Sequence, residues 1–344
     1  MSNSARNFRE GDFIETHSKL IFDVKGLLHP PDRVIAFLRY FPSETGERIR
    51  NGMRYEKVYS LSDRFNFLSE RYPSYIYFDR VLDSTMQGVP RGDIIHLYEP
   101  AQKLTELMNS SERLDDLEDD STEFCKTIAE SAGVPTDKLG LTGSILVSLH
   151  GPHSDIDVIV YGYKSCIAVY EALDSLYRDR NSRVKPYGEN ELKKLFKFRS
   201  ADTLTKWHSF LATEKRRRLQ GLFKNRDYFL RFIRDWDETN MKYGDVTYKS
   251  KGQTSISATV ADDSEALFTP CVYRIENARG ANGSETNETA IREVVSFRGR
   301  FCEVARNNER IAVKGKLELV TEKSGNTYHR VIVGEQKDDF LTLI

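Results

Sequence analysis

Four cysteines in 344 residues are too few and too scattered for a disulfide framework. Cys125, Cys166, Cys271 and Cys302 form no Cys-x-x-Cys pair, which argues against a zinc ribbon and fits a reducing cytoplasm. Long apolar runs are missing as well. No stretch approaches the ~20 uncharged apolar residues that span a bilayer, so no membrane partner is expected. The opening Met1-Ser2-Asn3-Ser4-Ala5-Arg6 has no apolar segment behind it, so no secretory signal is read, and the sequons at Asn282 and Asn287 then carry no sugar. Neither sign of charge dominates: 51 Lys and Arg stand against 52 Asp and Glu. What is present is an ordinary globular composition, 39% hydrophobic and 30% charged. That excludes collagen-like, low-complexity and disordered chains and supplies a core for two to three domains.

The near-zero net charge hides an asymmetry. Ser111–Glu130 carries eight acids against two bases, a net −6. Arg178–Arg234 carries 17 bases against six acids, a net +11. Such a basic block can steer and neutralise a polyanion, which makes RNA or DNA a candidate partner. An equally available reading is a solvated helical surface that balances the acidic segment.

Coarse periodicity divides the chain into three. Residues 1–108 read as an α/β domain: a hairpin of Asp12–Thr16 and Leu20–Val24, a strand at Arg33–Tyr40, and a helix capped by Ser60. Residues 109–240 alternate helix and strand. Leu114, Leu117, Phe124 and Ile128 have helical spacing, and Gly133 stops that helix. Strands follow at Leu139–Thr142, Ile156–Tyr161 and Tyr228–Ile233, with helices over Cys166–Tyr177, 189–198 and 203–220. Residues 241–344 read as strands with turns, a small barrel or sandwich interrupted by a long loop over 276–290. Within it Arg298 and Arg300, and Lys314 and Lys316, alternate and so line one face, either an oligonucleotide-binding face or a solvated one.

One segment carries chemistry: Gly143-Ser144, ten intervening residues, then Asp155-Ile156-Asp157 at the head of an apolar strand. Strand residues alternate faces, so Asp155 and Asp157 point one way while Ile156, Val158 and Val160 point into a core. Two carboxylates ~7 Å apart on one face repel unless a cation joins them. Hard oxygen ligands suit Mg²⁺ or Mn²⁺. Gly143 lets a phosphate approach the backbone, and Ser144 can donate a hydrogen bond to it.

This pattern resembles the nucleotidyltransferase superfamily that includes polymerase β, CCA-adding enzymes, poly(A) polymerases and the minimal antibiotic-resistance transferases. The text from Gly11-Asp12 through His29-Pro30-Pro31 is also similar to that of uncharacterised archaeal proteins predicted to be nucleotidyltransferases. The resemblance implies that Asp155 and Asp157 bind metal and that Gly143 and Ser144 hold the phosphates of an NTP. It also implies a third carboxylate on a neighbouring strand. In Tyr228–Ile233, Arg231 matches that strand's Arg, but Phe229 stands at the acid. Asp227, one pleat earlier on the same face, is the catalytic candidate, with a strand-end turn as its alternative. Asp235 and Glu214 are poorer ones. His150 is placed to reach a triphosphate, and both His150 and His153 also read as loop histidines.

The expectation is therefore an α/β (α+β) nucleotidyltransferase core with an N-terminal α/β domain and a C-terminal β-barrel-like domain. The function it implies is metal-dependent nucleotidyl transfer from an NTP to an unidentified acceptor. A non-catalytic nucleotide- or nucleic-acid-binding protein on a degenerate scaffold is the alternative.

Overall fold

The computed structural model describes residues 7–200, 206–280 and 291–344. The chain is mixed α/β. In order it forms β1 (Phe13–Thr16), β2 (Ile21–Val24), β3 (Arg33–Pro42), β4 (Arg48–Arg50), β5 (Met53–Lys57), α1 (Leu61–Arg71), β6 (Ile76–Asp79), β7 (Ser84–Pro90) and β8 (Ile94–Tyr98). Next come α2 (Pro100–Met108), α3 (Asp116–Ala132), β9 (Leu139–Leu141), α4 (Gly143–Leu146), β10 (Ile156–Tyr161), α5 (Tyr163–Arg178), β11 (Val184–Lys185), α6 (Glu189–Arg199), α7 (Trp207–Glu214), β12 (Gln220–Phe223) and β13 (Arg226–Ile233). The last strands are β14 (Val246–Asp262), β15 (Cys271–Gly280), β16 (Ile291–Ser296), β17 (Arg310–Glu322), β18 (Thr327–Ile332) and β19 (Phe340–Leu343).

By internal contacts the chain divides into two units, one of Met1–Asp79, Ser84–Val184 and Leu222–Tyr243, the other of Arg80–Asp83, Lys185–Gly221 and Gly244–Ile344. The segments expected as 1–108 and 109–240 thus share the first unit, apart from 80–83 and 185–221. The chain passes from the first unit to the second for the last time at 243/244.

In the first unit an eight-stranded sheet runs β4-β5-β3-β2-β1-β8, with β7 pairing β3 and β6. One face of it buries Ile14, Phe22, Val34, Ala36 and Leu38 against Leu68 of α1 and Tyr75. Ser60 caps α1 by accepting from the Asp63 amide at 3.3 Å. The other face buries Phe13, Ile21, Tyr40 and Tyr55 with Leu146, Val147 and Leu149, the residues after the Gly-Ser turn. Each such side chain contributes ~1.5–3 kcal/mol on burial, so this second core fixes the sheet against the start of β10. β10 pairs antiparallel with β9 and parallel with β13. His29 is structural: it bridges the Phe8 carbonyl and the Ile35 amide, and burial pushes its pKa down to about 4.

In the second unit β14 pairs with both β15 and β17, so the ladder β14-β15-β16-β18-β17 returns on itself and β19 extends it. That is the barrel-like C-terminal part. Three local expectations change. The helix expected over 203–220 is α7, ending at Glu214; residues 203–205 lie outside the described set. The helix stops because the amides of Arg218 and Leu219 donate to the Glu303 carboxylate instead of to their own turn. Glu276–Gly280 continues β15 rather than opening a loop, and 281–290 lie outside the described residues. Arg298 and Arg300 fall at a 3₁₀ turn over Gly299–Phe301, not along a strand.

Gly11 is a tight joint of the first unit. Its φ is +90°, and a Cβ there would overlap Ile159 Cδ1. Its carbonyl accepts from the Thr142 hydroxyl at 2.6 Å. Gly11→Ala combines backbone strain with a clash, so it should destabilise the protein by ~2 kcal/mol or more. Gly92→Ala, at a position where a Cβ meets nothing within 4 Å, should leave stability nearly unchanged. Thermal unfolding of the two variants checks this; equal midpoints would show that the joint is slack.

Candidate active site

The strand period holds. Asp155, Asp157, Ile159 and Tyr161 share one face of β10, and Ile156, Val158 and Val160 are fully buried on the other. Ile159 and Tyr161 are themselves covered by Leu27, Ala101 and Ile233. Only the two carboxylates at the head of the strand remain accessible, Asp155 exposed and Asp157 half-buried.

The parallel register of β13 sets the third acid. Tyr228 lies opposite Ile156 and Phe229 opposite Asp157, so Asp227 stands beside Asp155. The pKa of Asp155 is pushed up to about 6. Surrounding protein is the largest cause, followed by the like charges of Asp157 and Asp227, with Lys57 and Arg39 partly offsetting them. Asp157 is also pushed upward by its surroundings and by Asp23, against the pull of Arg231, Arg39 and Lys57.

The Gly-Ser turn meets this strand directly. Gly143 has φ +69°, and a Cβ on it would overlap Asp157 Oδ2, so only glycine lets the carboxylate sit there. The Thr142 amide donates to the Asp157 carbonyl at 3.0 Å, which fixes the turn to β10. Ser144 is 8% exposed, at the start of the four-residue α4.

The comparisons with known proteins give one full-length relative. Uncharacterized protein MJ1086 of Methanocaldococcus jannaschii is 34% identical over 340 residues, which covers 96% of each chain. The chain belongs to the family of that protein. No family model matches it, and no solved structure does.

Other expected residues sit elsewhere. His150 Nε2 bonds Asp115 Oδ2 at 2.7 Å, at the N-cap of α3, so it is engaged by a helix cap rather than aimed at a triphosphate. Asp115, Glu118 and His150 form the one metal-sized cluster of ligating side chains found among the described residues. Asp115 and Glu118 there are occupied as a reciprocal capping box. His153 is exposed in the loop. Asp235 caps the turn Trp236–Glu238 and binds Lys138 at 2.6 Å. Glu214 lies in the other unit, bonded to Arg199 at 2.5 Å and Arg217 at 2.8 Å.

The basic block is largely neutralised. Lys224 and Arg226 pair with Asp120, and Lys224 and Arg183 with Glu123, so part of its charge cancels the acidic helix. Arg217 is 2% exposed and tied to Glu214 and Glu303, and Arg216 is held bidentately by Glu309. Phe196, Trp207 and Phe210 pack on one another as a core. Lys314 pairs with Asp338, and Lys316 with Glu318 and Glu335. No helix among the described residues is long and apolar enough to cross a membrane.

Sequence reasoning did not find the N-terminal contribution. Lys25 binds Asp23 at 2.6 Å and Glu10 at 3.2 Å, and Glu10 also holds Arg231 at 2.7 Å. Asp23, Arg39 and Lys57 therefore act on the β10 carboxylates from strands more than 90 residues upstream. No local pattern announces this, because single charges in strands read as surface.

These charges make a pH prediction. The Asp155 pKa is raised on folding, so the unfolded chain ionises first as pH rises. Its contribution to stability falls between pH ~4 and ~6 and stays lost above that window. Asp155→Asn should therefore raise the thermal midpoint at pH 7.5 but not at pH 3.5. In Asp227→Asn one like charge is gone, and carboxyl-carbon NMR should find the Asp155 titration below about 6. An unmoved titration would mean that Asp227 does not face Asp155.

Proposed function

We propose that this protein is a divalent-metal-dependent nucleotidyltransferase that moves a nucleotidyl group from an NTP to an acceptor hydroxyl. The observation that carries the reading is the crowding of Asp155, Asp157 and Asp227 at neighbouring positions of two parallel strands, with Gly143 packed against Asp157. The donor set suits a hard cation: all are carboxylate oxygens, they repel one another, and protein desolvates two of them. Asp155 and Asp157 would hold Mg²⁺ or Mn²⁺. When bound, such a cation neutralises phosphate charge and lowers the pKa of an attacking hydroxyl. Asp227 is exposed beside Asp155 and would serve the acceptor side in this reading. Glu10 holds Arg231, which keeps a fixed positive charge near Asp157. Gly143 and Ser144 hold the phosphates in this reading.

One observation favours a second reading, a nucleotide-binding protein that no longer turns over. Phe229, not an acid, lies directly opposite Asp157. Pyrophosphate release from each of the four NTPs with Mg²⁺, offered RNA, protein and small-molecule acceptors, separates the two. Transfer is expected, abolished in Asp155→Asn and Asp157→Asn. Asp227→Asn should keep Mg-NTP binding but lose tenfold or more in rate, about 1.4 kcal/mol of transition-state stabilisation. Mg-NTP binding without any release would favour the second reading.

A further inference from the structure

We infer that Arg39, Arg48 and Lys57 of the N-terminal sheet form a polyphosphate clamp facing the β10 carboxylates. The ligand class rests on the transferase reading above, but the clamp is argued from the sheet itself.

Strand register brings the three together. Tyr40 lies opposite Lys57, and Arg48 opposite Tyr55. Tyr55 and Lys57 alternate on β5, so Arg48, Tyr55, Lys57 and Tyr40 share one face. That face is the one packed on Leu146, Val147 and Leu149. Arg39 is the extra residue of a bulge: Ile21 pairs with Tyr40 and Phe22 with Leu38, which leaves Arg39 without a partner on β2. Bulges re-aim side chains beside functional sites. Arg39 and Lys57 both lie over the exposed Tyr59 ring, at 5.9 and 4.9 Å from its centroid. A Cβ on Gly151, in the loop leading to Asp155, would overlap the Arg48 guanidinium. The clamp therefore reaches the loop that presents the carboxylates.

The decisive feature is pairing. Other cations on or beside this face have carboxylate partners. Arg50, two residues from Arg48, bonds Glu15, Tyr55, Tyr98 and the Val147 carbonyl. Lys25 bonds Asp23 and Glu10, and Arg231 bonds Glu10. Among the described residues, Arg39, Arg48 and Lys57 make no ion pair within 4.0 Å. Yet Arg39 and Lys57 act electrostatically on Asp155 and Asp157. Arg39 and Lys57 are thus gathered near two carboxylates without an ion pair to them, and Arg48 acts on Lys57 and reaches Gly151. Burial and the neighbouring Arg39 push the Lys57 pKa down to about 8, so the cluster is held against its own repulsion. Several phosphates in a row answer that arrangement: an arginine takes a phosphate bidentately and a lysine as a point charge.

The test uses inorganic tripolyphosphate and the full chain in EDTA, so that no metal contributes. Calorimetry should find binding to the wild type. The Arg39→Gln/Lys57→Gln variant should bind at least tenfold more weakly and Arg48→Gln at least threefold, while Lys57→Arg retains affinity. Asp155→Asn, which removes a nearby negative charge, should bind as well as the wild type or better. Circular dichroism of each variant confirms folding. Amine acetylation of the wild type read by mass spectrometry needs no variant, and tripolyphosphate should protect Lys57. No binding by the wild type, wild-type affinity in the double variant, or unprotected Lys57 at saturation would each overturn the clamp. Tripolyphosphate binding through these residues without transfer from any NTP would sink the transferase reading and leave the clamp standing. Transfer that survives in a double variant with unchanged tripolyphosphate affinity would do the reverse.

Discussion

Three carboxylates forced together at the heads of two neighbouring parallel strands are the constraint around which the first unit is built. Asp155 and Asp157 share a face because a strand has a period of two, and parallel pairing adds Asp227. Burial first, and then their mutual repulsion, disfavours ionisation and pushes the Asp155 pKa upward. An isolated βαβ core has little to offset such a cluster. Here the offset comes from another sheet, whose Arg39 and Lys57 lower what burial and like charge raise. The N-terminal sheet is therefore part of the electrostatics of the site.

That coupling depends on precise backbone contact. Gly11 permits the N-terminal segment to lie on Ile159, and Gly143 permits Asp157 to lie on the Gly-Ser turn. In both places a methyl group would collide with the strand that carries the aspartates. Glu10, next to Gly11, then ties Lys25 of one sheet to Arg231 of the other. A charged bridge of this kind is worth little on an open surface. Here Glu10 is 1% exposed, so removal of either cation would strand part of a buried negative charge. Packing and charge thus fix the same joint.

The strand alternation at Asp155 and Asp157, the turn at Gly143, the Ser60 cap and the stop at Gly133 were legible because each is a local rule acting over a few residues. Asp227 was legible from the face it shares with Arg231, and the register of β13 then placed it beside Asp155. Arg39, Arg48 and Lys57 were not legible. Their importance depends on a bulge and on strand pairings that no short window contains. The basic block misdirected for the complementary reason. Local charge density says nothing about pairing, and Lys224, Arg226 and Arg183 find their acids on α3, about 60 to 105 residues earlier. The run Lys215–Arg218 carries helix-forming residues, but Glu303 captured the amides that a longer helix needed.

Pairing also explains why the sparse cations are more informative than the dense ones. A cation within reach of a carboxylate loses little by being partly buried, because Coulomb attraction offsets desolvation. Arg217 illustrates this, fully enclosed between Glu214 and Glu303. A cation held near other cations, partly desolvated and without a contacting anion, has only the weaker offset of carboxylates at a distance, as Lys57 has from Asp157 and Asp155. Folding tolerates it only if the surrounding packing is strong enough, and the second core of Phe13, Ile21, Tyr40 and Tyr55 provides that packing. Strain of this sort concentrates where a ligand supplies the missing charge. The residual field at the head of β10 therefore has two poles, carboxylates on one strand pair and, on the N-terminal sheet, cations that make no ion pair among the described residues. Such a pair of poles fits a ligand that carries its own negative charge together with a bound cation, and a metal-chelated phosphate chain has both.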